Sequence, residues 1–203
     1  MKKIIAAAAV ALSAIAAVGI AAPAFAALQN GAVAPEFTAK GMLNGAAFNF
    51  KLSEALKKGP VVVYFFPAAY TEGCTVETIK FGENADAFKA AGATLIGVTT
   101  MARMSDGSMA SAEANIPRLA EFSKQHCADK FPIGAVNTAT VTAYDVVLNA
   151  QRADWSNRTS FVIAPDGKVL LSHTDMKPES HIEKTLETVN AWKAAHGAHA
   201  GHH

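Results

Sequence analysis

Residues 61–66 read Val-Val-Val-Tyr-Phe-Phe, a run of β-branched and aromatic side chains bounded by Pro60 and Pro67. A strand with no polar side must be covered on both faces, so this run belongs in the interior of a sheet. The segments after it narrow the choice further. Residues 75–91 place Ile79, Ala85 and Phe88 at helical spacing with Gly92 as a stop, and residues 93–100 form a second buried-strand run. A Met- and Ser-rich stretch (101–110) reads as a loop, and a helix is expected from about Ser111 or Ile116 to His126.

The flanks complete the pattern. Residues 35–51 alternate around Asn44-Gly45 as a short hairpin. Ser53 is placed to cap a short helix through Lys58, which Gly59-Pro60 ends. Residues 145–150 are expected to be a strand, and residues 159–173 a hairpin turned by Pro165-Asp166-Gly167. A last helix, about Pro178 to Ala195, carries Ile182, Leu186, Val189 and Trp192 on one face. This order predicts an α/β domain with a central mixed sheet and helices on both faces.

Composition excludes several functions. The net charge of +1 gives no basic excess for a nucleic-acid surface. With 51% hydrophobic residues in 203, the chain can bury a core and is sized for one ordinary domain. Two cysteines are too few for a disulfide-rich scaffold or a four-thiolate zinc site.

Residues 1–26 open with Lys2 and Lys3, continue as an Ala-rich apolar stretch and end in Ala24-Phe25-Ala26, the layout of a secretory signal peptide. Gly19 and Pro23 interrupt the end of that stretch, which argues against a membrane anchor. The domain is therefore expected from residue 27 to 195, exported to the periplasm of a bacterium, free of the membrane after cleavage, where disulfides persist. Residues 196–203, His-Gly-Ala-His-Ala-Gly-His-His, cannot build a core and are expected to form a flexible tail. Its imidazoles leave a weak metal-carrier role open.

Cys74 lies between the first buried strand and the helix after it. If Thr71 caps that helix, Glu72, Gly73 and Cys74 form its first turn, and the sulfur faces unpaired amides and the positive end of the helix dipole. Those features favour a thiolate nucleophile. Gly73 permits close approach to the backbone, and Pro67 fixes the chain as it leaves the strand. Placement alone leaves open a second view, in which Cys74 is a small buried hydrophobe or one end of a structural disulfide. No Cys-x-x-Cys is present, which disfavours a dithiol exchanger.

Pro67-x-x-x-Thr71-x-x-Cys74 resembles the peroxidatic-cysteine motif of the peroxiredoxins, and Thr75 and Glu77 make it most similar to the bacterioferritin-comigratory, or Q-type, branch. Residues 157–169 resemble that family's strand beginning with its catalytic arginine, here Arg158. The resemblance runs from about Ala34 to Trp192. It implies a thioredoxin-like fold that reduces hydrogen peroxide or alkyl hydroperoxides at Cys74 without metal or organic cofactor. Gly73, Thr71 and Arg158 would bind the peroxide, a thioredoxin-like or other thiol would be the reductant, and the chain would be a monomer.

Two departures stand out. Glu72 occupies a position where the Q type usually has proline, and a carboxylate near the thiolate tends to raise its pKa. Ile79 stands where many members place a resolving cysteine. Cys127, at the end of a predicted helix, is then the candidate to resolve a Cys74 sulfenic acid. A purely structural Cys74–Cys127 bridge, worth about 4 kcal/mol on the chain-entropy model, stays open beside it. His126 next to Cys127 could lower its pKa or simply be a solvated helix end. A catalytically weak binding protein of the same fold and a histidine-tail metal carrier are the competing functions. Asn157-Arg158-Thr159 matches a glycosylation sequon, taken as accidental on a core strand.

Overall fold

The computed structural model describes residues 27–197; the expected signal segment (1–26) and all of the tail beyond Gly197 lie outside the described residues. Among the described residues, nine strands and five α-helices follow one another as β1 (Thr38–Leu43), β2 (Ala46–Lys51), α1 (Leu52–Leu56), β3 (Val61–Phe65), α2 (Glu72–Ala90), β4 (Thr94–Thr99), β5 (Met101–Arg103), β6 (Met109–Ser111), α3 (Ile116–Cys127), β7 (Ile133–Ala135), α4 (Thr138–Ala143), β8 (Thr159–Ile163), β9 (Val169–Thr174) and α5 (Pro178–Gly197). No helix of the described residues is long and apolar enough to cross a membrane.

Seven strands make one mixed sheet in the order β2-β1-β7-β4-β3-β8-β9, in which β4 runs parallel to β3 and β7 while the other pairs are antiparallel. Every residue of β3 is buried. Its alternation divides the core. Val62, Tyr64 and the following Phe66 pack with Phe81 and Phe88 of α2 and Phe122 of α3, whereas Val61, Val63 and Phe65 pack with Tyr144, Phe161 and Leu56 on the opposite face. α2, α3 and α5 thus cover one face, and α1 with the turn after α4 covers the other.

Four local expectations are corrected. Ser53 does not cap α1; it lies inside that helix, and its N–H donates to the Glu36 carboxylate at 3.1 Å. A carboxylate distant in sequence does the work of a cap. The 101–110 segment is the hairpin β5–β6, closed by the Asp106 carboxylate accepting from the Ser108 N–H at 2.9 Å. Residues 145–150 form no strand. Asp145 turns the chain at φ 56°, and only Val147 makes an isolated bridge, to Ser156. β7 and α4 were not anticipated, since three residues (Ile133–Ala135) and six Thr- and Ala-rich ones carry too little periodicity to read. α5 also continues to Gly197, with His196 stacked on Trp192, so the first residues assigned to the tail are helical.

Candidate active site

The chain leaves β3 through Pro67 and enters α2 at Thr71, so residues 67–71 form a short arm at one end of the sheet. The β5–β6 hairpin pins this arm. The Ala69 N–H donates to Met101 O at 3.0 Å, and the Arg103 N–H donates to Ala69 O at 2.9 Å. Beneath Pro67, its carbonyl oxygen lies 3.3 Å from the Thr99 hydroxyl.

Thr71 is the N-cap residue of α2, with extended backbone, but its hydroxyl donates to Ala68 O at 2.9 Å and caps no helix amide. The expected capping bond is therefore absent, and the hydroxyl instead tightens the arm. Cys74 is the third residue of the helix and is 1% exposed.

Arg158 reaches this helix from the opposite end of the sequence. β8 pairs antiparallel with β3, with Thr159 opposite Phe65, so the residue preceding β8 emerges beside the arm that leaves β3. Its Nη2 donates toward Cys74 Sγ at 3.6 Å, and its Nη1 donates to Oε2 of the buried Glu77 carboxyl group. A side chain on Gly73 would place a Cβ 2.9 Å from Arg158 Nη2. What approaches Gly73 closely in the described structure is therefore the guanidinium, and the glycine is what admits it.

Burial pushes the Cys74 thiol up, while Arg158, the Ala68 backbone and the Thr71 hydroxyl pull it down. The balance lies above the ordinary thiol, where helix position alone had suggested a fall. Among carboxylates, the one acting on Cys74 is Glu77, one turn along the helix, and not the exposed Glu72 that the sequence drew attention to. Glu77 is itself fully buried, and desolvation raises it to about 8 against the opposing pull of Arg158.

Two further residues join the site that sequence reasoning left unassigned. Tyr70 holds φ 63°, an uncommon conformation for a bulky residue. Its ring lies 3.6 Å under the Arg118 guanidinium and its hydroxyl donates to Gln125 at 3.1 Å, both on α3. The arm before Cys74 is thereby clamped to the helix that ends in Cys127. His181 of α5 is fully buried, with Nδ1 3.8 Å from Glu77 Oε1. The first could be guessed only from its place beside Thr71; the second had no local signal, being one histidine on a buried helix face shared with Ile182, Thr185 and Val189.

Cys127 is buried at the last turn of α3, where its thiol donates to Ser123 O at 3.2 Å. Burial raises it; the downward pulls are the Ser123 side chain and the backbone at Phe131 and Asp129, none of them a cation. Neighbouring His126 packs on Phe122 and has its pKa lowered by burial, so it is no cationic partner for the thiol. Cys127 also lines a surface depression of about 210 Å³ together with Ile79 and Lys130.

Both cysteines are free. A Cβ on Gly82 would lie 3.1 Å from Cys127 Cα, and Gly82 is two helical turns below Cys74, about 12 Å along the axis. The fold therefore places both sulfurs on the same side of the sheet without bringing them together.

The profile of the AhpC/TSA family matches residues 30–172. The chain is 30% identical to the chloroplastic peroxiredoxin Q of Gentiana triflora over 174 residues, covering 80% of this chain and 67% of that protein. It is 28% identical to the peroxiredoxin Bcp of Escherichia coli (strain K12) over 160 residues, covering 78% and 94%. Among solved structures, peroxidoxin BcpB of Mycobacterium tuberculosis superposes with a TM-score of 0.66 at 26% identity, covering 81% of this chain and 97% of that one. The sheet and its helices thus have the thioredoxin-like arrangement of these neighbours.

Proposed function

This chain belongs to the AhpC/TSA family and is a peroxiredoxin, a thiol-dependent peroxidase, and we propose that Cys74 is its peroxide-reacting cysteine, resolved by Cys127. The observation that carries the assignment is the Arg158 guanidinium, held by Glu77 and aimed at Cys74 Sγ from 3.6 Å. An arginine in that position stabilises the thiolate before reaction and the departing oxygen during it.

The chemistry derives from those positions. The Cys74 thiolate attacks one peroxide oxygen; a sulfur–oxygen bond forms as the oxygen–oxygen bond breaks. The second oxygen leaves with the electron pair and takes a proton to become water or an alcohol. Arg158 and the Thr71 hydroxyl, which can turn from Ala68 O toward the peroxide, hold the developing charge. Pro67 and Gly73 contribute shape: one fixes the arm, the other lets the guanidinium in.

Cys74 is then a sulfenic acid. Attack by the Cys127 thiolate on its sulfur forms the disulfide and expels the oxygen as water. Because about 12 Å of helix separates the two levels, the first turns of α2 must unwind, and Tyr70 must leave Arg118 and Gln125. A thioredoxin-like dithiol would complete the cycle by exchange at Cys127, a residue that lines a surface depression. Export is part of the same proposal, supported by residues 1–26.

One equivalent of hydrogen peroxide followed by mass spectrometry under thiol-blocking conditions tests the assignment. A Cys74–Cys127 disulfide is the expected product. Oxidation retained on Cys74 alone would remove Cys127 from the cycle, and oxidation first at Cys127 would overturn the whole proposal.

A further inference from the structure

Behind Arg158 lies a buried polar chain that the peroxide chemistry does not use. Glu77 Oε2 accepts from Arg158, but Glu77 Oε1 is buried and has no hydrogen-bond partner among the described residues. Across the gap from it lies His181 Nδ1, at 3.8 Å. The other imidazole nitrogen is decided by its neighbour. His181 Nε2 lies 2.9 Å from Asp175 O, a carbonyl that can only accept, so Nε2 carries a proton. Nδ1 in turn lies 2.8 Å from Ser160 Oγ, a hydroxyl that can donate or accept.

An ionised Glu77 facing a bare Nδ1 would set two acceptors against each other in a fully buried space and leave Oε1 without a donor. A single proton relieves the repulsion: on Oε1 it faces the imidazole, whose Nδ1 accepts from Ser160; on Nδ1 it is donated to Ser160 and sets a cationic ring beside the carboxylate. Charge argues the same way. With Glu77 ionised and His181 neutral, Arg158 is already neutralised, and a Cys74 thiolate would be an uncompensated buried charge. With one proton in the pair, thiolate and guanidinium sum to zero.

We propose that Glu77 Oε1 and His181 Nδ1 hold one proton between them at neutral pH, which leaves the Arg158 charge to the Cys74 thiolate and makes His181 a positioning residue of the peroxidatic site. The groups facing this pair from each packed element are Arg158 before β8, Ser160 on β8, His173 on β9, Asp175 before α5, and Cys74 and Tyr64 on the side of α2 and β3. Arg158 and His173 disfavour a second positive charge on His181. Burial acts on both members in the direction of neutrality, raising Glu77 to about 8 and lowering His181 to about 4, so the proton resides on the carboxyl.

The kinetic consequence rests on Cys74 being the peroxide-reacting thiol, but the proton itself can be observed without peroxide. Difference infrared spectroscopy of the full reduced protein across pH should show a carboxylic-acid stretching band at neutral pH that fades with a midpoint near 8 and is missing from Glu77→Gln. In His181→Gln an amide N–H can donate to Oε1 and favour the carboxylate, so the band should be lost at neutral pH. The ultraviolet titration of the Cys74 thiolate, read in a Cys127→Ser background, should then move upward by about one unit or more. A wild-type protein with only ionised carboxylates at neutral pH overturns the proposal, and this arm needs no variant to fold. A Cys74 titration that stays in place while the band is lost overturns the positioning role of His181, whereas failure of Cys74 to oxidise would bear on the assignment of the thiol alone.

Discussion

The first turn of α2 and the last turn of α3 each hold a buried cysteine whose thiol is pushed upward by desolvation, and they differ in what is set against it. At Cys74 the opposing group is a guanidinium whose charge is permanent and whose position is fixed by Glu77. At Cys127 the opposing groups are a hydroxyl and backbone amides, neutral dipoles that stabilise a thiolate less. Access runs the other way. Cys127 lines a depression at the surface, whereas Cys74 is covered by an arm clamped through Tyr70 to α3. One cysteine is built to be reactive and guarded, the other to be quiet and reachable. That division suits a peroxide-reacting thiol and a thiol that meets a protein reductant.

The largest effects come from breaking the asymmetry outright. Cys74→Ser should abolish peroxide consumption while leaving the fold intact, since a hydroxyl fills nearly the same volume. Arg158→Lys should come next: a flexible point charge replaces a planar donor that serves Cys74 and Glu77 at once, and the rate of Cys74 oxidation should fall by about a hundredfold, the order of one lost preorganised donor. Stopped-flow oxidation measures both, and an unchanged rate in the lysine variant would mean that another group stabilises the leaving oxygen. Cys127→Ser should slow turnover with a dithiol reductant by about tenfold and leave Cys74 prone to further oxidation, seen as sulfinic acid by mass spectrometry. Equal loss of the first oxidation step in this variant would erase the distinction between the two thiols.

Much of this was legible in the sequence where the signal is local. The apolar run 61–66 fixed the interior strand because its side chains admit no solvent face, and the position of Cys74 came from strand, proline and helix in order. Arg158 was legible through family resemblance, and its geometric reason, Thr159 opposite Phe65, appears only once the sheet is assembled. What stayed hidden is what depends on tertiary contact. The Glu77 carboxylate looks like an ordinary helix residue until Arg158 and His181 arrive from β8 and α5. Glu72 looked influential because it is close in sequence, yet it is exposed, where water screens it. The hairpin over 101–110 was missed because two three-residue strands have almost no periodicity, although it is the element that pins Ala69.

The buried pair behind Cys74 gives the comparison a thermodynamic form. Glu77 has its folded pKa raised from 4.5 to about 8, so its contribution to stability is complete below 4.5 and is lost as pH rises through about 8. His181 has its folded pKa lowered from 6.5 to about 4, so its contribution is complete above 6.5 and is lost as pH falls through about 4. Between 4.5 and 6.5 the folded chain holds the proton on Glu77 that the unfolded chain holds on His181, and the two slopes cancel. Urea unfolding of the reduced protein should therefore show a level stretch in that interval, a decline toward 8 and another toward 4. The raised thiols of Cys74 and Cys127 act in the same sense on the alkaline side. Cys127→Ser should keep most of the alkaline decline and Glu77→Gln should flatten it, because the decline originates behind Cys74 and not at α3. Stability that rises from 4.5 to 6.5 and stays level from there to 8 would show instead that Glu77 is ionised throughout, and that the site at α2 is held by a fixed ion pair.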